Sequence, residues 1–287
     1  MVVRELDALK ARIPLDTRHR LAQLRVRARQ PTAPWRRLPD LLVIGAQRCG
    51  TSTLYRHLGR HPGVAPSVRK EVEFFSRRFG RGEAWYRAHF ALAAGPRRLA
   101  FEATPDYLFH PLAAARAAQL VPDARLVVML RDPVARAWSH YHHMVALGHE
   151  PLDFAAAVAA EQERCADDLA RLATDALHDP VALLRYSYVA RGHYAAQLRR
   201  WLVHYPPERV LVVRSEDFFT APAAAFRRVV EFAGLASWQP EAFVNASRMR
   251  DDGPGAPPPD VRALLAPAFA SVNDDLAALL GDGAPRW

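Results

Sequence analysis

Residues 41–58 read LLVIGAQRCGTSTLYRHL. An apolar run enters a turn with glycines at 45 and 50, and a helical pattern follows. A strand, a glycine-spaced turn and a helix in that order form a phosphate cradle, in which backbone N–H groups at the helix start face an oxyanion. The common form of the motif is G-x-x-x-x-G-K-[ST]. Here Gly45 and Gly50 keep the spacing and Ser52 closes it, but Thr51 stands at the lysine position and Arg48 lies inside the loop. The usual lysine reaches the β and γ phosphates, and the hydroxyl binds Mg²⁺. Its loss argues against ordinary ATP or GTP hydrolysis and raises the question of which anion the loop holds.

Outward from the loop, strand and helix patterns alternate. Strands are expected over 41–45, 98–103, 124–132 and 209–217, and helices over 51–61, 111–120, 133–147, 154–173, 188–204 and 260–280. The third strand is continuous in Val, Leu and Met, as parallel strands buried on both faces are. Asp132 caps the following helix, and Pro133 takes its first position. The series predicts an α/β fold, a P-loop-type three-layer sandwich with a central parallel sheet flanked by helices. The Pro-punctuated stretch 30–40 reads as a linker and GPGAPPPD (253–260) as a loop. The chain divides into a basic, helical N-terminal arm with its linker (1–39) and one domain (40–287).

Half of the 287 residues are apolar, which predicts a globular chain, and the net charge of +9 with a pI near 10.1 points to anionic partners. Arginine dominates over lysine, as GC-rich coding also produces. The two cysteines, Cys49 and Cys165, form neither a disulfide framework nor a zinc spacing, so reduced thiols in a cytoplasmic setting are expected. No apolar run reaches membrane-span length, and no signal-peptide core is expected. The arm over 2–29 reads as a helix lying on the protein's own core or, alternatively, on the inner membrane face.

Two further clusters carry chemistry. RKEVEFFS (69–76) sets Glu71 among basic residues and ahead of an aromatic pair, where a carboxylate can act as general base; a surface Lys–Glu pair would look the same. LRDPVARAWSHY (130–141) puts Arg131 at the carboxyl end of a parallel strand, where ligands bind in open α/β sheets, and Ser139 two turns into the next helix. An arginine fork plus a hydroxyl makes a phosphate clamp; a strand-end arginine capping a neighbouring helix is the alternative.

Together these motifs resemble those of sulfotransferases that use 3′-phosphoadenosine 5′-phosphosulfate (PAPS), nearest to the heparan sulfate branch and its bacterial relatives. The resemblance runs from about residue 40 to the C-terminus. It implies that IGAQRCGTSTLY (44–55) is the 5′-phosphosulfate loop, with Gly45, Gln47, Arg48, Cys49, Gly50, Thr51, Ser52 and Thr53 on the donor, and that Arg131 and Ser139 hold the 3′-phosphate. KEVEFF (70–75) resembles the segment bearing the catalytic glutamate, which falls on Glu71. EATPDYL (102–108), RGHYAAQLRRWL (191–202) and VLVVRSEDF (210–218) also look family-like. Tyr194 in RGHY is implied near the nucleotide or the acceptor, and the 245–251 stretch, with Arg248 or Arg250, where the family closes a loop over the nucleotide.

The family often has lysine at the position of Arg48. An arginine keeps the charge but does not readily donate a proton, so its implied role is electrostatic stabilisation of the leaving group. Ala103 stands where heparan 3-O-type enzymes tend to carry lysine, which argues against a highly sulfated acceptor. The implied function is sulfuryl transfer from PAPS, with no metal, to a hydroxyl or amine of a carbohydrate, glycolipid or secondary metabolite. Nucleic acid is not an expected partner. A P-loop small-metabolite kinase and a non-catalytic anion-binding module are the alternatives. His142 and His143 could border the acceptor cleft, or simply be packed or solvated.

Overall fold

The computed structural model describes residues 15–95, 98–244 and 255–287; the implied nucleotide-closing stretch 245–251, with Arg248, lies outside them. Five strands form an all-parallel sheet: β1 (Leu41–Gly45), β2 (Val64–Pro66), β3 (Leu99–Ala103), β4 (Arg125–Leu130) and β5 (Val210–Arg214), in the order β2-β3-β1-β4-β5. Helices flank the sheet, so the α/β expectation holds. Connections from β1 run toward one edge and those from β4 toward the other. Right-handed crossovers therefore put helices on opposite faces, and the strand order reverses between β1 and β4.

The central strands read as unbroken apolar runs because both faces are covered. Leu41, Leu42, Val43 and Ile44 of β1 and Leu126 through Leu130 of β4 are all buried. Register pairs Leu41 with Phe101 on one side and with Arg125 on the other. These alignments bring the carboxyl ends of β3, β1 and β4 to one edge, the edge at which open parallel sheets take ligands.

Several expected boundaries shift. β2 is only three residues long, too short to show as an apolar run. The fourth expected strand ends at Arg214, because Ser215–Thr220 turns at once into a helix with Glu216 and Asp217 in its first turn. The 154–173 helix is two, Phe154–Ala159 and Glu161–Thr174, while 188–204 contains a short 3-10 turn before Tyr194–Leu202. The tail is likewise two helices, Pro259–Phe269 and Val272–Leu280. In the arm, the helix Leu15–Arg29 buries Val26, and a 3-10 segment buries Ala33. Arg36 then donates to the Phe90 carbonyl (2.9 Å), so the arm is stitched to the core. Among the described residues no single helix is long and apolar enough to cross a membrane.

Candidate active site

The loop between β1 and the helix Thr51–Leu58 is fixed by close packing. A Cβ on Gly45 would fall 2.5 Å from Leu108 Cβ. Gly50 has φ +90°, a left-handed conformation that glycine adopts without strain, and a Cβ there would also meet Phe219 Cζ at 2.9 Å. The Ala46 N–H donates to the Met129 carbonyl (2.7 Å), tying the loop to β4. The Gly50 carbonyl takes the N–H groups of Thr53 and Leu54, whereas those of Gly50, Thr51 and Ser52 have no backbone acceptor among the described residues. These three donors at a helix start make the oxyanion cradle read from the sequence. Of the loop hydroxyl residues, Ser52 is exposed while Thr51 and Thr53 are buried. Gln47 keeps a buried side-chain oxygen without a partner. Burial pushes the Cys49 thiol up to about 12, so it packs as an apolar group rather than acting as a nucleophile.

Arg48 sits in the left-handed region, φ +67°, and its Nε donates to Ser139 Oγ at 3.1 Å. The Arg131 guanidinium, at the end of β4, lies 3.5 Å from the Arg48 carbonyl. The two cationic residues thus meet at the carboxyl ends of β1 and β4. Tyr194 is fully buried, and its hydroxyl donates to the Arg131 carbonyl (2.8 Å), so it supports the strand end from behind.

Glu71 reaches the same edge from β3, since its N–H donates to the carbonyl of Ala103 (3.0 Å). Glu71 and Glu73 both have positive φ, +59° and +60°, a conformation costing about 1–3 kcal/mol per non-glycine residue. The EATPDYL motif explains how the segment is held. The buried Glu102 accepts from Tyr86, Thr104 and Tyr107 hydroxyls at 2.6, 2.8 and 2.9 Å. In turn the Phe74 N–H donates to Tyr107 Oη (2.8 Å), and the Glu73 N–H to Thr104 Oγ1 (3.3 Å). Burial raises the Glu102 carboxyl above its ordinary range, against the three hydroxyls.

Lys70 ion-pairs with Glu71. Burial alone would raise the Glu71 carboxyl, but Lys70, Arg69 and His143 outweigh it and hold the group below the ordinary carboxylate range. His143 is the residue that the structure draws into the site. Burial and then Arg48 push its imidazole down, while Glu71 pulls it up, so the ring feels both functional charges. Its i,i+4 spacing from Ser139 was the available signal. His142 instead packs edge-on against Trp138, with ring centroids 4.2 Å apart.

Arg48, Arg131, the loop N–H groups and the Glu71 carboxylate therefore gather at the sheet edge where strand order reverses. Fold and loop define a phosphate-loop α/β protein, with a glycine-spaced loop at a helix start beside a carboxylate. Residues 38–249 match the sulfotransferase domain family, and the chain belongs to it. It is 34% identical over 206 residues to human bifunctional heparan sulfate N-deacetylase/N-sulfotransferase 3, covering 69% of this chain and 22% of that protein. It is 31% identical over 204 residues to mouse heparan sulfate glucosamine 3-O-sulfotransferase 3B1, covering 70% of this chain and 47% of that one. The chain thus spans less than half the length of these curated relatives. A sulfotransferase structure from Alicyclobacillus acidocaldarius superposes with a TM-score of 0.68 at 29% identity, covering 85% of this chain and 96% of that one. The expected kinship with the heparan sulfate branch therefore holds.

Proposed function

We propose that this protein transfers the sulfuryl group of PAPS to an acceptor hydroxyl or amine. The carrying observation is the meeting, at one sheet edge, of Arg48 with Ser139, 91 residues apart in sequence, beside Arg131 and Glu71. PAPS supplies an activated sulfuryl group with a nucleotide bisphosphate as its leaving group. The residues present fit it. The free N–H groups of Gly50, Thr51 and Ser52 would hold the 5′ end, and Arg131 with Ser139 the 3′-phosphate. Gly45, Gln47, Cys49 and Thr53 shape the loop around the 5′ end. Glu71, already ionised beside Lys70, removes the acceptor proton. Arg48 neutralises charge developing on the bridging oxygen without surrendering a proton. Arg248 is assigned to the nucleotide on sequence alone. Transfer of label from PAPS to a panel of sugars, lipids and metabolites tests the reading; failure with every acceptor together with no bisphosphate binding would overturn it.

The human and mouse relatives named above are heparan sulfate sulfotransferases. Here the acceptor is assigned as a carbohydrate, glycolipid or secondary metabolite of low charge, since position 103 offers a buried alanine methyl instead of a lysine. Free, buried Cys49 and Cys165 fit a cytoplasmic setting. The arm is assigned a peripheral contact with anionic lipid. Arg29, Arg36 and Arg98 line a hollow of about 310 Å³ beside Leu92, no carboxylate among the described residues pairs with them, and Trp35 next to it is 66% exposed. That hollow lies toward the amino-terminal end of β3, opposite the edge that carries Arg48 and Arg131, so docking would turn the active site away from the bilayer and favour the carbohydrate and secondary-metabolite acceptors over the glycolipid. Flotation with phosphatidylserine vesicles, and its loss in Arg29→Ala/Arg98→Ala, tests this contact.

A further inference from the structure

The VLVVRSEDF stretch resembles the family without an assigned task, and the structure supplies one. The peptide joining Arg131 to Asp132 is gripped on both polar edges. Its carbonyl accepts from the Tyr194 hydroxyl at 2.8 Å, and its N–H donates to Glu216 Oε1 at 2.9 Å. The other Glu216 oxygen accepts from the indole N–H of Trp287 at 3.0 Å. Trp287 is itself fixed by Asn273, which accepts from its main-chain N–H (3.1 Å) and donates to its main-chain oxygen (2.7 Å). One residue earlier, Ser215 Oγ donates to the Cys49 carbonyl at 3.0 Å. The first turn after β5 thus fastens both halves of the crevice, the loop through Ser215 and the strand end through Glu216.

A peptide plane held at its C=O and its N–H cannot rotate, and its rotation would swing the Cα–Cβ bond of Arg131. Tyr194 is buried on one side, while Glu216 and Trp287 close the other. We propose that Glu216, braced by Trp287, is a positioning residue for the Arg131 guanidinium, and so sets the preference for a nucleotide with a 3′-phosphate. The inference rests on the reading of Arg131 as the 3′-phosphate clamp.

The test compares binding of adenosine 3′,5′-bisphosphate with that of adenosine 5′-monophosphate, which lacks the 3′ group, by calorimetry. Glu216→Ala is expected to weaken the bisphosphate about tenfold, as loss of a hydrogen bond to a charged group does, and to leave the monophosphate unchanged. Glu216→Gln keeps an acceptor oxygen and restores most of the ratio. Trp287→Phe removes only the indole donor and lowers the ratio several-fold. A merely structural role would move both nucleotides together or neither, and either result overturns the proposal. Arg131→Ala separates the two levels. If it fails to discriminate between the nucleotides, the clamp reading falls; if it discriminates and the Glu216 variants do not, only the positioning role falls. Should Glu216→Ala fail to fold, Glu216→Gln and Trp287→Phe decide the matter, and an unchanged ratio in Trp287→Phe counts against it.

Discussion

Arg48 Nε donates to Ser139 Oγ across 3.1 Å, so the cation of the phosphate loop rests on the hydroxyl of the next motif. The two residues have separate roles in the proposed reaction, but their positions are coupled. Ser139 is buried, and its single hydroxyl accepts from Arg48 while, in the proposed reaction, it would donate to the 3′-phosphate.

Ser139→Ala should therefore do more than weaken donor binding. We expect bisphosphate affinity to fall about tenfold, as one charge-assisted hydrogen bond is lost, and kcat to change as well because Arg48 is released. Arg48→Met should lower kcat by more than tenfold with a smaller change in bisphosphate affinity, since its charge acts where the bond breaks. Single-turnover kinetics beside equilibrium binding separate the two effects. Equal loss of affinity and rate in Arg48→Met would contradict the assignment.

If Glu71 is the base, as proposed, its ionisation should set the acid limb. Its carboxyl lies below the ordinary value of 4.5, because Lys70, Arg69 and His143 overcome the effect of burial. Activity should stay level as pH falls through the usual carboxylate range and drop only once Glu71 protonates. Lys70→Met removes the leading favourable charge, so the carboxyl must rise and the limb move to higher pH. A pH profile of kcat for the two proteins measures this directly. An unmoved limb would mean that another group is the base.

The fold and the phosphate loop were legible in the sequence because the parallel strands are continuous apolar runs and the loop has a fixed glycine spacing. Arg131 was legible from its place at a strand end. Less visible were features made by tertiary contact. β2 is too short to show a pattern, and the helix breaks at 160 and 270 lack a proline or glycine at the break. His143 carried only a helical spacing to Ser139, which a packed histidine shares. Nothing local linked EATPDYL to Glu71, since the link runs through Tyr107 and Thr104 across more than thirty residues. Nor did local pattern join Glu216 to Asp132, 84 residues apart.

Gly50→Ala probes the loop by a different route. The substitution puts a methyl 2.9 Å from Phe219 Cζ and demands φ +90° of a residue with a Cβ. A cost of about 1–3 kcal/mol in unfolding free energy is expected from the backbone alone. Denaturant titration gives that number. Bisphosphate binding should also weaken, because the Gly50 N–H belongs to the cradle.

Tyr107→Phe tests whether the buried network, rather than the ion pair with Lys70, holds the base in place. Removing one hydroxyl leaves the Phe74 N–H without its acceptor and deprives Glu102 of a donor at 2.9 Å. A buried unsatisfied donor costs about 1–3 kcal/mol, so the variant should be less stable. The consequence for catalysis is sharper. The segment 71–74 contains two residues in left-handed conformations, Glu71 and Glu73, which persist only while their surroundings enforce them. With the network loosened, the backbone at 71 can relax and withdraw its carboxylate from the crevice, while the loop, Arg131 and Ser139 stay in place. Tyr107→Phe should therefore lower kcat several-fold with bisphosphate affinity unchanged, and Thr104→Val should act in the same direction. A loss of bisphosphate affinity equal to the loss of rate would show instead that the network supports the whole sheet edge and not Glu71 in particular.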